Sequence, residues 1–132
     1  MTLLKILSAI VGILLVVAGC IHWFIIFGVF SERAPLVVDS YFNSLAVIDI
    51  VAGIGLLVSR KRWVYELILF IGITQILAHG YMLYIGIAEQ YDSGISASNR
   101  IFEIGLAIFL IFFSGMLLEH EKYYRIFRKR NR

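Results

Sequence analysis

Imidazole, carboxyl and amide side chains stand inside stretches of this 132-residue sequence that are otherwise largely apolar, among them His22, Asp39, Asn43, Asp49, Gln75, His79 and Glu103. Imidazoles, carboxyls and amides can exchange protons, trade hydrogen bonds or ligate metals, and spacing selects among these chemistries. Asp39 and Asn43 are four residues apart, as are Gln75 and His79, so each pair shares one face of a helix. Asp49 is rotated about 80° from Asp39 at ~100° per residue, so one broad face holds both. His22, His79, Glu103 and Asp39 are the right ligand types for a metal. They lack the Glu-x-x-His or His-x-x-His spacing of known helical sites, and no metal is assigned. His22 and His79 would make one axial pair for a b-type haem, with Gly19 and Gly80 alongside to admit a flat ring. No haem-attachment motif accompanies them. The single Cys20 rules out dithiol chemistry and an internal disulfide. Phosphate-binding loops and nucleophile elbows are absent from the sequence.

The elements that must position these residues follow from composition. Apolar residues make up 61% of the chain and charged ones 16%, more apolar surface than a domain this short can hide from water. The apolar residues fall in four blocks, roughly 5–30, 36–59, 63–88 and 101–118, each close to or above the ~20 residues needed to cross a bilayer. The first block is too long for a cleaved signal peptide and is read as a retained helix. Unbroken apolar runs exclude the alternation of a membrane barrel, so the blocks are helices. The expected fold is an all-α integral membrane four-helix bundle in one domain, 1–132, multi-pass in the cell membrane. Arg60-Lys61-Arg62 leaves almost no loop between the second and third helices, and the only proline, Pro35, suits the first turn of the second. Ser98 or Asn99 is placed to cap the fourth.

Lys and Arg set the orientation. With both termini in the cytoplasm, ten basic residues lie inside (Lys5, the 60–62 turn and six in the tail), against Arg33 and Arg100 outside. The tail, 119–132, reads as a helical extension that leaves the membrane. It is either a solvated basic stop-transfer segment or a surface helix resting Tyr123, Ile126 and Phe127 on anionic lipid. Ser8, Gly12 and Gly19 draw a close-packing seam on the first helix, and Gly53, Gly72, Gly105 and Gly115 offer close approach elsewhere.

Depth within the membrane then sorts the polar residues. Measured from each helix midpoint at ~1.5 Å per residue, His22 and Asn43 lie roughly 7 Å toward the outer side, His79 roughly 5 Å and Glu103 roughly 10 Å. Asp39 sits near the outer headgroups, while Asp49 and Gln75 lie near the midplane. A charge at that depth costs ~3 kcal/mol on insertion scales, so Asp49 needs a partner, a proton or a wet cavity. Gln75 is the expected partner, and interhelical glue is the plain structural account of that pair. His22, Asn43, His79 and Glu103 are expected to point inward and line one outer-half cavity. Glu66 is expected to snorkel to the inner interface or to pair with the basic turn, and His120 to be a solvated interfacial residue.

The first two helices resemble the DoxX-like family of small four-helix membrane proteins. The resemblance rests on Val17-Ala18-Gly19-Cys20-Ile21-His22-Trp23-Phe24 and on the stretch from Asp49 through Gly53 and Gly55 to Leu57 before Arg60, where Asp49 stands for the more usual glutamate. It implies membrane electron transfer, with a quinone headgroup as ligand of the outer-half polar residues. Two other functions compete with it: an accessory or assembly subunit of a larger membrane complex, and a small enzyme acting on a lipid-like substrate through Asp49, His79 and Glu103. Expected partners are the bilayer and other membrane subunits or a second copy, and no nucleic acid.

Overall fold

A computed structural model describes residues 2–25, 36–88 and 97–130, and apart from the turn at 59–61 all of them are helical. The order is α1 (Thr2–Ile25), α2 (Leu36–Val58), α3 (Arg62–Ala88) and α4 (Ala97–Arg130). Three helices carry stretches long and apolar enough to cross a membrane: Leu3–Phe24, Arg62–Tyr84 and Arg100–Ile126. In α2, 23 residues long, the apolar run among the described side chains is Ser44–Val58. Large apolar side chains cover the outer faces. On α1, Ile6, Ile10, Ile13, Leu14, Val17, Ile21 and Phe24 are all exposed, a surface that lipid tolerates and water does not.

The fourth helix starts earlier and runs further than the 101–118 block. Its 34 residues measure ~51 Å at 1.5 Å each, against ~30 Å of hydrocarbon, so the last turns leave the membrane as one continuous helix with the span. Those turns are laced by Glu119–Lys122 and by Glu121 with Arg125, whose Nε donates to Glu121 at 2.9 Å. Tyr123 and Ile126 are exposed there, and the Phe127 side chain lies outside the described residues.

The chain divides into two compact units, Met1–Leu67 and Ile68–Arg132. In the first, α1 and α2 pack antiparallel, because the partners of rising α1 positions fall along α2. A Cβ built on Gly12 would meet Gly53, Leu56 and Leu57, and one on Gly19 would meet Ala46 and Ile50. The approach is backbone to backbone. At Gly53 a Cβ would stand 2.5 Å from the Gly12 carbonyl oxygen, and at Gly19 2.6 Å from that of Ala46. Ser8, Val11 and Leu15 on α1, with Leu45, Ala46, Ala52 and Leu56 on α2, complete the buried seam. Ser8, Gly12 and Gly19 therefore pack as their spacing predicts.

The basic turn closes α2 onto the start of α3. The amides of Ser59 and Arg60 both donate to the Gly55 carbonyl, and Arg60 is left-handed with φ 43°. A non-glycine residue pays ~1 kcal/mol or more for that conformation. Tyr65 compensates by donating its hydroxyl to the Arg60 carbonyl at 2.7 Å. Arg62 Nε donates to Glu66 at 2.7 Å, the pairing expected of Glu66.

In the second unit, α3 buries Ile68, Ile71, Gln75 and His79, and α4 buries Arg100, Ala107, Leu110, Ser114 and Leu117. Gly72 is the close approach: its Cβ would lie 2.9 Å from the Ala107 carbonyl oxygen and 2.7 Å from Ile111 Cγ1. Chain length fixes the direction. A parallel pair meeting there would put Ala88 and Ala97 ~40 Å apart, and nine Cα steps reach ~32 Å at most. The two helices are antiparallel.

Candidate functional site

Hydroxyls cause no difficulty inside these helices. Ser8 donates to the Leu4 carbonyl at 2.7 Å, Thr74 to Phe70 at 3.0 Å, and Ser114 to Ile111 at 3.0 Å, each satisfied by its own helix. A carboxylate has no such recourse, because it only accepts and the helical N–H groups are already used. Asp49 is 1% exposed, and neither of its oxygens has a hydrogen-bond donor at bonding geometry among the described residues. Its ionic partner is His22, whose Nδ1 lies 3.4 Å from Asp49 Oδ2.

The α1–α2 register explains this meeting. With Gly12 facing 53–57 and Gly19 facing 46 and 50, His22 and Asp49 have Cα positions about one turn (~5 Å) apart along the seam. Every Cα–Cβ bond of a helix tilts toward its own N-terminus. In an antiparallel pair, those tilts carry His22 back toward the level of Gly19 and Asp49 back toward the level of Ala46. They converge where the missing side chain of Gly19 has drawn the backbones together. Gly19 thus serves packing, and the flat-ring gap expected there is filled by Ala46 and Ile50. Gln75, the partner expected from the sequence, belongs to the second unit; within the first unit the partner of Asp49 is His22, which midpoint depths set at a different level.

Charge accounting favours this pair at such a depth. One proton shared by imidazole and carboxyl leaves the pair net neutral whichever of them holds it, so the membrane cost of a lone carboxylate is avoided. The unfilled acceptor capacity of Asp49 is left for a donor that the described residues do not provide.

The second unit buries a different set. Gln75 is 5% exposed, His79 4% and Arg100 3%, while Glu103 is half-buried. The sequence marks Arg100 only as an outer-side charge. It is seven residues before Ala107 and fourteen before Ser114, both buried, and that heptad phase was the available signal. Of the four residues expected to line one cavity, His22 belongs to the first unit, and His79 and Glu103 to the second. Asn43, like Asp39, is on α2 with its side chain outside the described residues. His120 is exposed, as expected, and Cys20 is exposed on α1. Among the described residues no group of three or more His, Cys, Asp or Glu side chains is placed to hold a metal ion.

Fold and site together define an all-α membrane protein with polar groups buried at two helix seams. No protein-family model matches the chain, and no curated protein or solved structure matches it.

Proposed function

We propose that this chain is a DoxX-like protein of the cell membrane that holds the headgroup of a quinol-type lipid at the His22–Asp49 pair and exchanges a proton with it. One observation carries the reading: a fully buried carboxylate 3.4 Å from an imidazole, with hydrogen-bonding capacity unfilled. A quinol hydroxyl is a donor of the kind Asp49 needs, and a quinone carbonyl is an acceptor for imidazole N–H. A proton arriving from the headgroup is held between two groups that can each take it, the arrangement expected of general acid–base work. Trp23 and Phe24 beside His22 supply exposed rings on α1, against which the flat ring of the headgroup would lie.

A second reading, an accessory subunit, draws on Gly105 and Gly115 of α4. A Cβ at either would meet nothing within 4 Å, so both small-residue positions remain open to another membrane helix. Gentle detergent purification from the native membrane separates the two readings. Mass spectrometry of the extract is expected to find about one quinone per chain, lost in Asp49→Asn. A stoichiometric partner protein with no quinone would replace the first reading by the second.

A further inference from the structure

Two tyrosines and an isoleucine stand exposed on the last turns of α4: Tyr123 at 62%, Tyr124 at 59% and Ile126 at 52%. They interleave with Lys122 and Arg125, and the sequence continues through Phe127, Arg128, Lys129, Arg130 and Arg132. We propose that this C-terminal end of α4 binds anionic phospholipid, with the apolar side chains among the acyl-chain ends and the basic ones on the headgroup phosphates. The proposal is independent of the His22–Asp49 site.

Depth is the first argument. Between Ile101 and Leu118 the only charged residue is Glu103, and Glu119 ends the apolar stretch. That stretch rises ~27 Å, close to the ~30 Å of hydrocarbon, so Glu119 marks its boundary. A headgroup layer of ~5–7 Å then takes about the next four residues. Tyr123 and Tyr124 thus stand in the layer where aromatic rings gather, with Lys122 and Arg125 at the level of the phosphates. Tyr123 and Ile126 share one face at i,i+3, and Lys122 and Arg125 share the adjoining one. The helix continues to Arg130, so the remaining basic residues rise only ~8 Å further, within one Debye length of the charged surface.

Charge is the second argument. Beyond Leu118 the sequence holds six basic residues and two acidic ones. Each acid is met by a base of its own helix: Glu119 lies 3.9 Å from Lys122 Nζ, and Glu121 accepts from Arg125 Nε at 2.9 Å. The negative end of the α4 dipole offsets about half a charge more. Roughly three and a half positive charges are left over, each worth about fivefold in affinity for an anionic surface. The same surplus repels a second copy of this helix, whereas an anionic leaflet supplies both the phosphates and an apolar bed for Tyr123 and Ile126.

The full-length protein is placed in nanodiscs of phosphatidylcholine carrying a minority of phosphatidylglycerol, and the lipids it retains are counted by native mass spectrometry. Enrichment of phosphatidylglycerol is expected, falling as salt is raised. Arg128→Gln, Lys129→Gln and Arg130→Gln together are expected to weaken it at least tenfold. Tyr123→Ser with Tyr124→Ser is expected to weaken it severalfold. Glu121→Gln removes a negative charge and releases Arg125, and is expected to strengthen enrichment severalfold, a sign that a purely structural ion pair would not give. Every substituted position lies beyond Leu117, the last residue described as buried on α4, so the α3–α4 seam is kept. Equal retention of the two lipids would overturn the proposal and turn attention to an acidic protein as the partner of this surface. Enrichment undiminished in the triple variant, or weaker in Glu121→Gln than in the parent, would overturn it as well.

Discussion

In the α1–α2 seam, Gly53 brings its backbone against Gly12, and one turn earlier a buried carboxylate meets an imidazole. In the α3–α4 seam, Gly72 lies against Ala107, and over the next two turns an amide and an imidazole are buried, with a guanidinium on the facing helix. The packing device is the same in both: a missing side chain lets two backbones touch, and polar groups near that contact are sealed from lipid. The charges differ. An acid and a base can cancel one another within the first seam, whereas the buried polar groups described in the second are an amide, an imidazole, a guanidinium and a hydroxyl. Close packing therefore determines which polar residues are hidden, and their chemistry sets the character of each seam.

The largest expected effect tests the self-cancelling character of the first seam. His22→Leu strands a buried carboxylate and should cost about 3 kcal/mol or more, by the penalty for breaking one side of a buried pair. Adding Asp49→Leu should recover much of that loss in a denaturant titration of the protein in mixed micelles. Additive losses would show that the two residues do not interact. Next come the glycines, which should differ in sign. Gly53→Ala and Gly72→Ala push a methyl into backbone atoms and should each cost ~1–3 kcal/mol. Gly80→Ala meets open space and should gain up to ~1 kcal/mol from helix propensity.

A smaller effect is expected where α2 turns into α3. Tyr65→Phe removes the bond to the Arg60 carbonyl and should cost about 1 kcal/mol in the same titration. Arg60→Gly relieves the left-handed strain and should change stability in the opposite direction by up to ~1 kcal/mol. Smallest of all is Ser114→Ala. The hydroxyl bonds only a carbonyl of its own helix, so its loss should stay within about 0.5 kcal/mol although the residue is fully buried. A large cost there would mean that hydroxyls, too, depend on partners across helices, and the contrast with Asp49 would fail.

Much of the architecture could be read before any coordinates. Block length and the lack of alternation gave four helices, Arg60-Lys61-Arg62 gave the tight turn, and the spacing of Ser8, Gly12 and Gly19 gave the first seam. The site was less legible, for geometric reasons. Depth along a helix axis ignores the tilt of every Cα–Cβ bond toward the helix N-terminus. That tilt joins His22 to Asp49 from positions about one turn apart. Arg100 was missed because it borders a polar connection and counts as an outside charge by the positive-inside rule. Only its phase with Ala107 and Ser114 marks it as inward. Of the two uses the sequence left open for Gly19, a packing seam and a gap for a flat ring, the structure takes the first, because Ala46 and Ile50 fill the space.

The central claim is that Asp49 and His22 hold a ligand headgroup between α1 and α2. The most direct measurement is an equilibrium titration of the purified protein, in phosphatidylcholine nanodiscs, with a short-chain quinol, followed by the fluorescence of Trp23 beside His22 in a Trp63→Phe background. Saturable binding of one quinol per chain is predicted, weakened at least ~10-fold by Asp49→Asn, as loss of a charge-assisted hydrogen bond requires, and unchanged by Ser114→Ala. Equal affinity in Asp49→Asn and the parent protein, or no saturable binding in either, would contradict it.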